Sequence, residues 1–389
     1  MRRARFPGSA SRPVVSPLQP SVVYASPDPD ALDAQYLGQT AGWTYSREGH
    51  PNATVVAGLI DEMEGAEDGV VTGSGMAAVM IALLGILKAG DHVVGGDQLY
   101  GRSLRMMNEE LPRLGIATSL ADPTDVASVA AAIQENTRAV LIETVSNPTL
   151  RVADIDGIAA LCRDRGIRLI LDNTFTTPRA VRALDRGADV VVHSVTKLLA
   201  GHSDAMLGYV GTRDAGLAER FAVLAATMGT TPSPFDCWLA ERGLYSFALR
   251  YDRAEATAAA LAEALAASGA VLRVLYPGRG DHPDHNRAAQ LLGQRCGNMV
   301  SFEIEGGRAA ANAFVRAAEG IAFAPTLGDI ATTISHPATS SHRALTPQAR
   351  EALGMSEGFF RISVGCEEPD DLIPVLVDAA RAAAGVRSC

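Results

Sequence analysis

The sequence predicts an α/β fold, in which a mainly parallel sheet flanked by helices is joined to a second, smaller α/β domain. Three observations carry this expectation. Short β-branched runs alternate with longer helical patterns from about residue 66. The runs are apolar throughout rather than alternating, as in strands buried on both faces of a sheet. At 389 residues the chain also exceeds what one hydrophobic core usually supports.

Taken in order, residues 1–45 carry four prolines before Ser21 and read as an extended arm. Next comes the large domain, 46–245. Its first strand lies in "DGVVTGSG", which leads into the helical "MAAVMIALLGILKAG" and then the strand "DHVVGGD". Further units follow in "RAVLIETVSNP", the helical "DIDGIAALCRDRG", "IRLILDNTF" and "ADVVVHSVTK". After "TPSPFDCWLAERGL" the pattern changes, and 246–389 read as the smaller domain. It opens with an Ala/Leu/Glu helix over 252–268 and continues to "GNMVSFEIEGG", whose alternation predicts a half-exposed strand.

Composition narrows the function. A formal charge of -10 disfavours a nucleic-acid surface, which needs concentrated Lys and Arg. Five cysteines without paired spacing give neither a disulfide framework nor a zinc site, so no metal and a reducing cytoplasm are expected. No apolar run is long enough to cross a bilayer, and "MRRARFPGSASRP" lacks the apolar core of a signal peptide. A small molecule is the expected ligand.

In open parallel sheets, ligands sit beyond the carboxyl ends of the strands. Four such ends carry polar residues here. Gly73, Ser74, Gly75 and Met76 open a helix, where free amides and the helix dipole favour an anion such as phosphate. "LIETVSNP" supplies Asn147, "LILDNTF" supplies Asp172, and the strand Val190-Val191-Val192 runs into His193, Ser194, Thr196 and Lys197. Each has a plainer explanation: a tight turn, a helix cap, a lysine reaching solvent. A desolvated lysine, however, becomes a nucleophile toward carbonyls. Pyridoxal phosphate needs such an amine, an acid for its pyridine nitrogen and an anion site. Lys197, Asp172, and Gly75-Met76 with Ser194 and Thr196 answer those three needs.

The chain resembles the pyridoxal-phosphate enzymes of cysteine and methionine metabolism, which include cystathionine synthases and lyases, methionine γ-lyase and homoserine-ester sulfhydrylases. The likeness runs from about residue 43 to 378. It rests on "YSREGHPN", "GSGMAA", "LYG", "ETVSNPTLRVADI", "DNTFTTP", "HSVTKLLAGHSD", "HPATSSH" and "RISVG". The resemblance implies the transferase-like fold type I of such enzymes. It implies that Lys197 holds the cofactor as a Schiff base and moves protons, and that Asp172 keeps the pyridine nitrogen protonated. Tyr100 would stack on the ring and Asn147 would bond its phenolic oxygen. Gly75, Met76, Ser194 and Thr196 would hold the phosphate, with Tyr45 and Arg47 reaching in from a neighbouring subunit of a homodimer or homotetramer. Arg361 would grip the substrate carboxylate, with Thr326 beside the substrate.

On that resemblance, the expected chemistry is γ-elimination or γ-replacement on methionine, cystathionine or activated homoserine. β-Elimination on cysteine or cystathionine and aminotransfer use the same residues and stay open. A scaffold without turnover is the non-enzymatic alternative, disfavoured by Lys197, Asp172, Tyr100 and Arg361 all being present. The chain departs from the family pattern at His50-Pro51-Asn52, at Arg102 after "LYG", and at Pro325-Thr326, where serine, often after a glutamate, is usual. Loss of that glutamate counts against cystathionine, and "LGD" at Leu327-Gly328-Asp329 resembles the methionine γ-lyase and sulfhydrylase branches. The absence of a cysteine beside Tyr100 argues mildly against methionine γ-lyase.

Overall fold

The computed structural model describes residues 10–343 and 345–385. Residues 1–9 of the expected arm and Cys389 lie outside them. The apolar runs form a seven-stranded sheet of β1 (Glu67–Thr72), β2 (His92–Gly96), β3 (Ala117–Ala121), β4 (Thr137–Glu143), β5 (Arg168–Asp172), β6 (Val190–His193) and β7 (Gly208–Thr212). Their order is β1-β7-β6-β5-β4-β2-β3, with β7 antiparallel to both neighbours and the other pairs parallel.

Side chains alternate across a strand, and here both faces are covered. Val140 and Ile142 of β4 enter one core, while Ala139 and Leu141 enter the core on the opposite face. That two-sided burial is why the runs show no polar alternation. β3 and β7 were not among the expected strands; "ATSLA" and "GYVGT" are too short and too rich in small residues to stand out.

The arm is not wholly extended. A short helix, α1 (Pro29–Tyr36), starts after Asp28, whose carboxylate accepts from the Ala31 amide at 2.8 Å. The next helices are α2 (Pro51–Glu64), α3 (Gly75–Ile86) and α4 (Gly101–Arg105). His50 caps α2: its ring accepts from the Ala53 amide at 3.2 Å, so this departure from the family pattern has a structural role.

A five-stranded sheet follows the large one, in the order β10-β11-β12-β9-β8. Its strands are β8 (Arg273–Leu275), β9 (Met299–Glu303), β10 (Ala322–Phe323), β11 (Thr333–Ser335) and β12 (Phe359–Ser363). β9, expected to be half-exposed, pairs on both sides and is buried from Met299 to Phe302. Its second face packs against the large domain: Ser301 Oγ donates to the Pro148 carbonyl at 2.7 Å. The helix expected at 252–268 is longer, running Pro234–Ala267 without a break, so residue 245 falls inside it. Its early residues Cys237 to Tyr251 belong to the large core and its late residues Ala258 to Leu265 to the small one. No helix among the described residues is long and apolar enough to cross a membrane.

Candidate active site

Lys197 follows β6 in a tight turn, with its amide donating to the Ser194 carbonyl at 3.1 Å. Thr196 fixes the turn from one side: its hydroxyl donates to the Leu207 carbonyl at 3.2 Å and accepts from the Leu207 amide at 2.9 Å. Arg250 fixes it from the other. This buried guanidinium donates to the carbonyls of Leu198 and Leu199 at 2.9 and 3.0 Å, and of Gly243 at 2.8 Å. Arg250 was not read from the sequence, because a single arginine in an amphipathic helix looks like a solvated face. The Lys197 amine is drawn below the usual lysine range by burial and then by the Arg361 charge.

Asp172 ends β5 with Oδ1 accepting from the Thr174 amide at 3.0 Å. Burial raises its carboxyl, opposed by the Thr174 hydroxyl and amide and by the field of His193. His193 itself is fully buried and meets Glu64 at 2.6 Å. Beside Asp172, as its register partner at the end of β4, stands Glu143. The sequence alone assigns Glu143 no role, although "AVLIE" ends in a carboxylate just as "LILD" does. Glu143 Oε1 accepts from the Tyr100 amide at 2.5 Å, and Tyr100 in turn precedes α4.

The small sheet reaches into the same crevice. Along β12, Phe360 and Ile362 enter the small core, so Arg361 between them points the other way. Its Nη1 donates to Asn147 Oδ1 at 2.5 Å and its Nη2 to the Thr326 carbonyl at 2.6 Å. Burial pulls this guanidinium down to about 10. Lys197 Nζ donates to Thr326 Oγ1 at 3.4 Å. Gly328 lets this loop approach: φ is +79°, and a Cβ there would stand 2.5 Å from the Leu198 nitrogen. The peptide between Asn147 and Pro148 is cis.

Gly75 begins α3, with Ser74 as its cap. A Cβ on Gly75 would lie 2.6 Å from Ser194 Cβ, so the helix start sits directly against the Ser194 turn only because residue 75 is glycine. The amides of Gly75 and Met76 precede the first intrahelical bond, Ala78 to Ser74. The structure thus gathers Lys197, Thr326, Arg361 and Asn147, with Glu143 linking Asp172 to Tyr100 and Gly75 resting on Ser194. It does not bring Tyr45 and Arg47 into contact with them. Those two exposed side chains pair with each other, Arg47 Cζ lying 5.1 Å from the Tyr45 ring centre, and Arg47 meets Glu48 at 3.3 Å. Arg102 is exposed on α4.

These residues fit pyridoxal phosphate. A desolvated amine, an acid at a neighbouring strand end and a helix start whose first amides lie outside the intrahelical bonds, set against Ser194, match its three functional groups. No group of side chains suited to a metal ion occurs among the described residues.

Residues 4–381 match the family described as Cys/Met metabolism PLP-dependent enzyme. The chain is 40% identical over 331 residues to cystathionine beta-lyase MetC of Bacillus subtilis, covering 85% of this chain and 84% of that protein. It is 38% identical to cystathionine gamma-lyase of the same organism, covering 86% and 88%. The crystal structure of cystathionine gamma synthase from Xanthomonas oryzae pv. oryzae in complex with cystathionine superposes with a TM-score of 0.90 at 36% identity. The match covers 95% of this chain and 93% of that one.

Proposed function

We propose a reaction for this chain from the premise that it belongs to the Cys/Met metabolism PLP-dependent enzyme family. It is a carbon–sulfur lyase or γ-synthase that acts on a sulfur amino acid or an activated homoserine, by elimination or replacement at the γ-carbon. The observation that carries this reading is the meeting of Lys197 and Arg361 at Thr326. One residue brings a proton-transferring amine and a carboxylate-binding guanidinium to a common centre.

Each residue then has a task. Arg361 spends one N–H on Asn147 and one on Thr326, keeping Nε and further hydrogens for a substrate carboxylate. Bound pyridoxal phosphate supplies a ring that accepts electrons from the substrate α-carbon. Asp172 holds a proton on the pyridine nitrogen. Lys197, lowered by burial and by Arg361, accepts the α-proton and redelivers it, and Tyr100 protonates the departing sulfur. Gly75, Met76, Ser194 and Thr196 hold the phosphate, Asn147 the phenolic oxygen. Tyr45 and Arg47, exposed and paired with each other, complete the site of a second copy of the chain.

A second reading, β-elimination, is favoured by the 40% identity to cystathionine beta-lyase MetC. Cystathionine separates the two. Either cleavage consumes one water: γ-cleavage gives cysteine, 2-oxobutanoate and ammonia, whereas β-cleavage gives homocysteine, pyruvate and ammonia. The expected product is 2-oxobutanoate; pyruvate alone selects the second reading. Neither oxoacid, together with no borohydride-trapped adduct on Lys197, would overturn both.

A further inference from the structure

Two carboxylates stand side by side at the carboxyl edge of the large sheet. Glu143 and Asp172 are register partners on adjacent parallel strands. Leu141 and Ile170, two residues before each, lie in the same core, so both acids point to that face, where α3 begins. Strands lie about 4.8 Å apart. Two neighbouring acids withdrawn from water resist ionising together, so the pair keeps a proton.

The surroundings decide which acid keeps it. Asp172 receives donors from Thr174 and the field of His193, all favouring its anion. Glu143 Oε1 accepts from the Tyr100 amide at 2.5 Å, but its Oε2 is buried and has no hydrogen-bond partner among the described residues. An unpartnered buried oxygen costs far more as part of an anion than as a hydroxyl. Burial and the Asp172 charge push the Glu143 carboxyl well above the usual range, against the pull of the Tyr100 and Asn147 amides.

We propose that Glu143 is a positioning residue of the cofactor site, held as a neutral carboxylic acid that ties down the Tyr100 backbone through Oε1 and carries its proton on Oε2. Asp172 would thereby be left as the single anion of the pair, the one to hold a proton on a bound pyridine nitrogen. Tyr100 needs the tie because α4 starts there without a side-chain cap. The inference rests on the cofactor roles proposed above for Asp172 and Tyr100.

Infrared spectra of the full-length protein at neutral pH, with labelled glutamate, test the protonation without relying on the cofactor. A protonated-carboxyl stretch present in wild type and missing in Glu143→Gln is expected; its absence from wild type overturns the proposal. Pyridoxal phosphate titrations of the stripped protein test the positioning. Glu143→Gln, neutral and still an acceptor for Tyr100, is expected to bind within about threefold of wild type, whereas Glu143→Ala loses about tenfold, the worth of one hydrogen bond. Loss in Glu143→Gln as deep as in Asp172→Asn would show a needed second anion and overturn the proposal. Failure of wild type to form the Lys197 adduct instead overturns the cofactor reading, and with it the positioning role.

Discussion

Lys197 Nζ and Thr326 Oγ1 meet at 3.4 Å, joining the turn after β6 to the loop that follows β10. As acceptor, the Thr326 hydroxyl favours the charged amine, partly offsetting burial and the Arg361 charge. Thr326→Val should therefore move the pH dependence of kcat/KM to lower pH and reduce its maximum by up to about tenfold, the worth of one hydrogen bond. Thr326→Ser should restore both. Rate–pH profiles of the two variants check this, and a Val variant with an unshifted profile would remove the contact from the mechanism.

Arg361 ties Asn147 and the Thr326 carbonyl together while facing the crevice. Arg361→Ala is expected to lower kcat/KM for the amino-acid substrate by about a hundredfold, mainly through KM, since charge-assisted bonds are worth about 1.5–3 kcal/mol each. Lysine at 361 should not rescue it, because a point charge cannot reproduce the fork. Steady-state kinetics beside a cofactor titration separate the two effects; equal losses in both would assign Arg361 to the cofactor.

Arg250 satisfies three carbonyls, two of them in the turn that presents Lys197. Arg250→Ala leaves those carbonyls buried without donors, at a cost of about 3 kcal/mol or more. We expect a melting temperature lower by several degrees and a weakened visible band of the Lys197 adduct. A stable variant with an unchanged spectrum would show that Thr196 and Leu207 alone hold the turn.

His342 is buried beside Ser341, and burial together with the Arg361 and Arg350 charges lowers it to about 4. Between pH 6.5 and 4 the unfolded chain binds a proton there that the folded chain refuses. Stability from this group is therefore full above pH 6.5 and is lost as pH falls toward 4, by at most about 3 kcal/mol. His342→Gln should flatten this part of the acid-denaturation curve, measured by urea midpoints from pH 7 to 4. A variant whose midpoints fall as steeply as wild type would assign the acid sensitivity to other buried histidines.

The parallel core was legible because burial on two faces leaves unbroken apolar runs, and Asp172 and Lys197 stood out because such runs rarely end in charge. Ser194 and Gly75 lie in separate motifs, and their contact depends on the spacing of β6 and β1 across β7, which no single segment encodes. Glu143 escaped notice because its meaning comes from its register with Asp172. Arg250 lies 53 positions from Lys197 in a helix whose period gives no hint that one face docks on a turn. β9 read as half-exposed because its Ser301 and Glu303 look like a solvent face, whereas Ser301 bonds Pro148 of the large domain.

The unbroken helix Pro234–Ala267 enters one hydrophobic core with its first turns and the other with its last. A rod of this kind works as a shared axle: the small sheet cannot swing freely on a flexible strap, since any large rotation would have to bend thirty-four residues of helix. The spacing between Arg361 on the small sheet and Lys197 on the large one is accordingly set when the chain folds, as in a preset vice rather than a closing jaw.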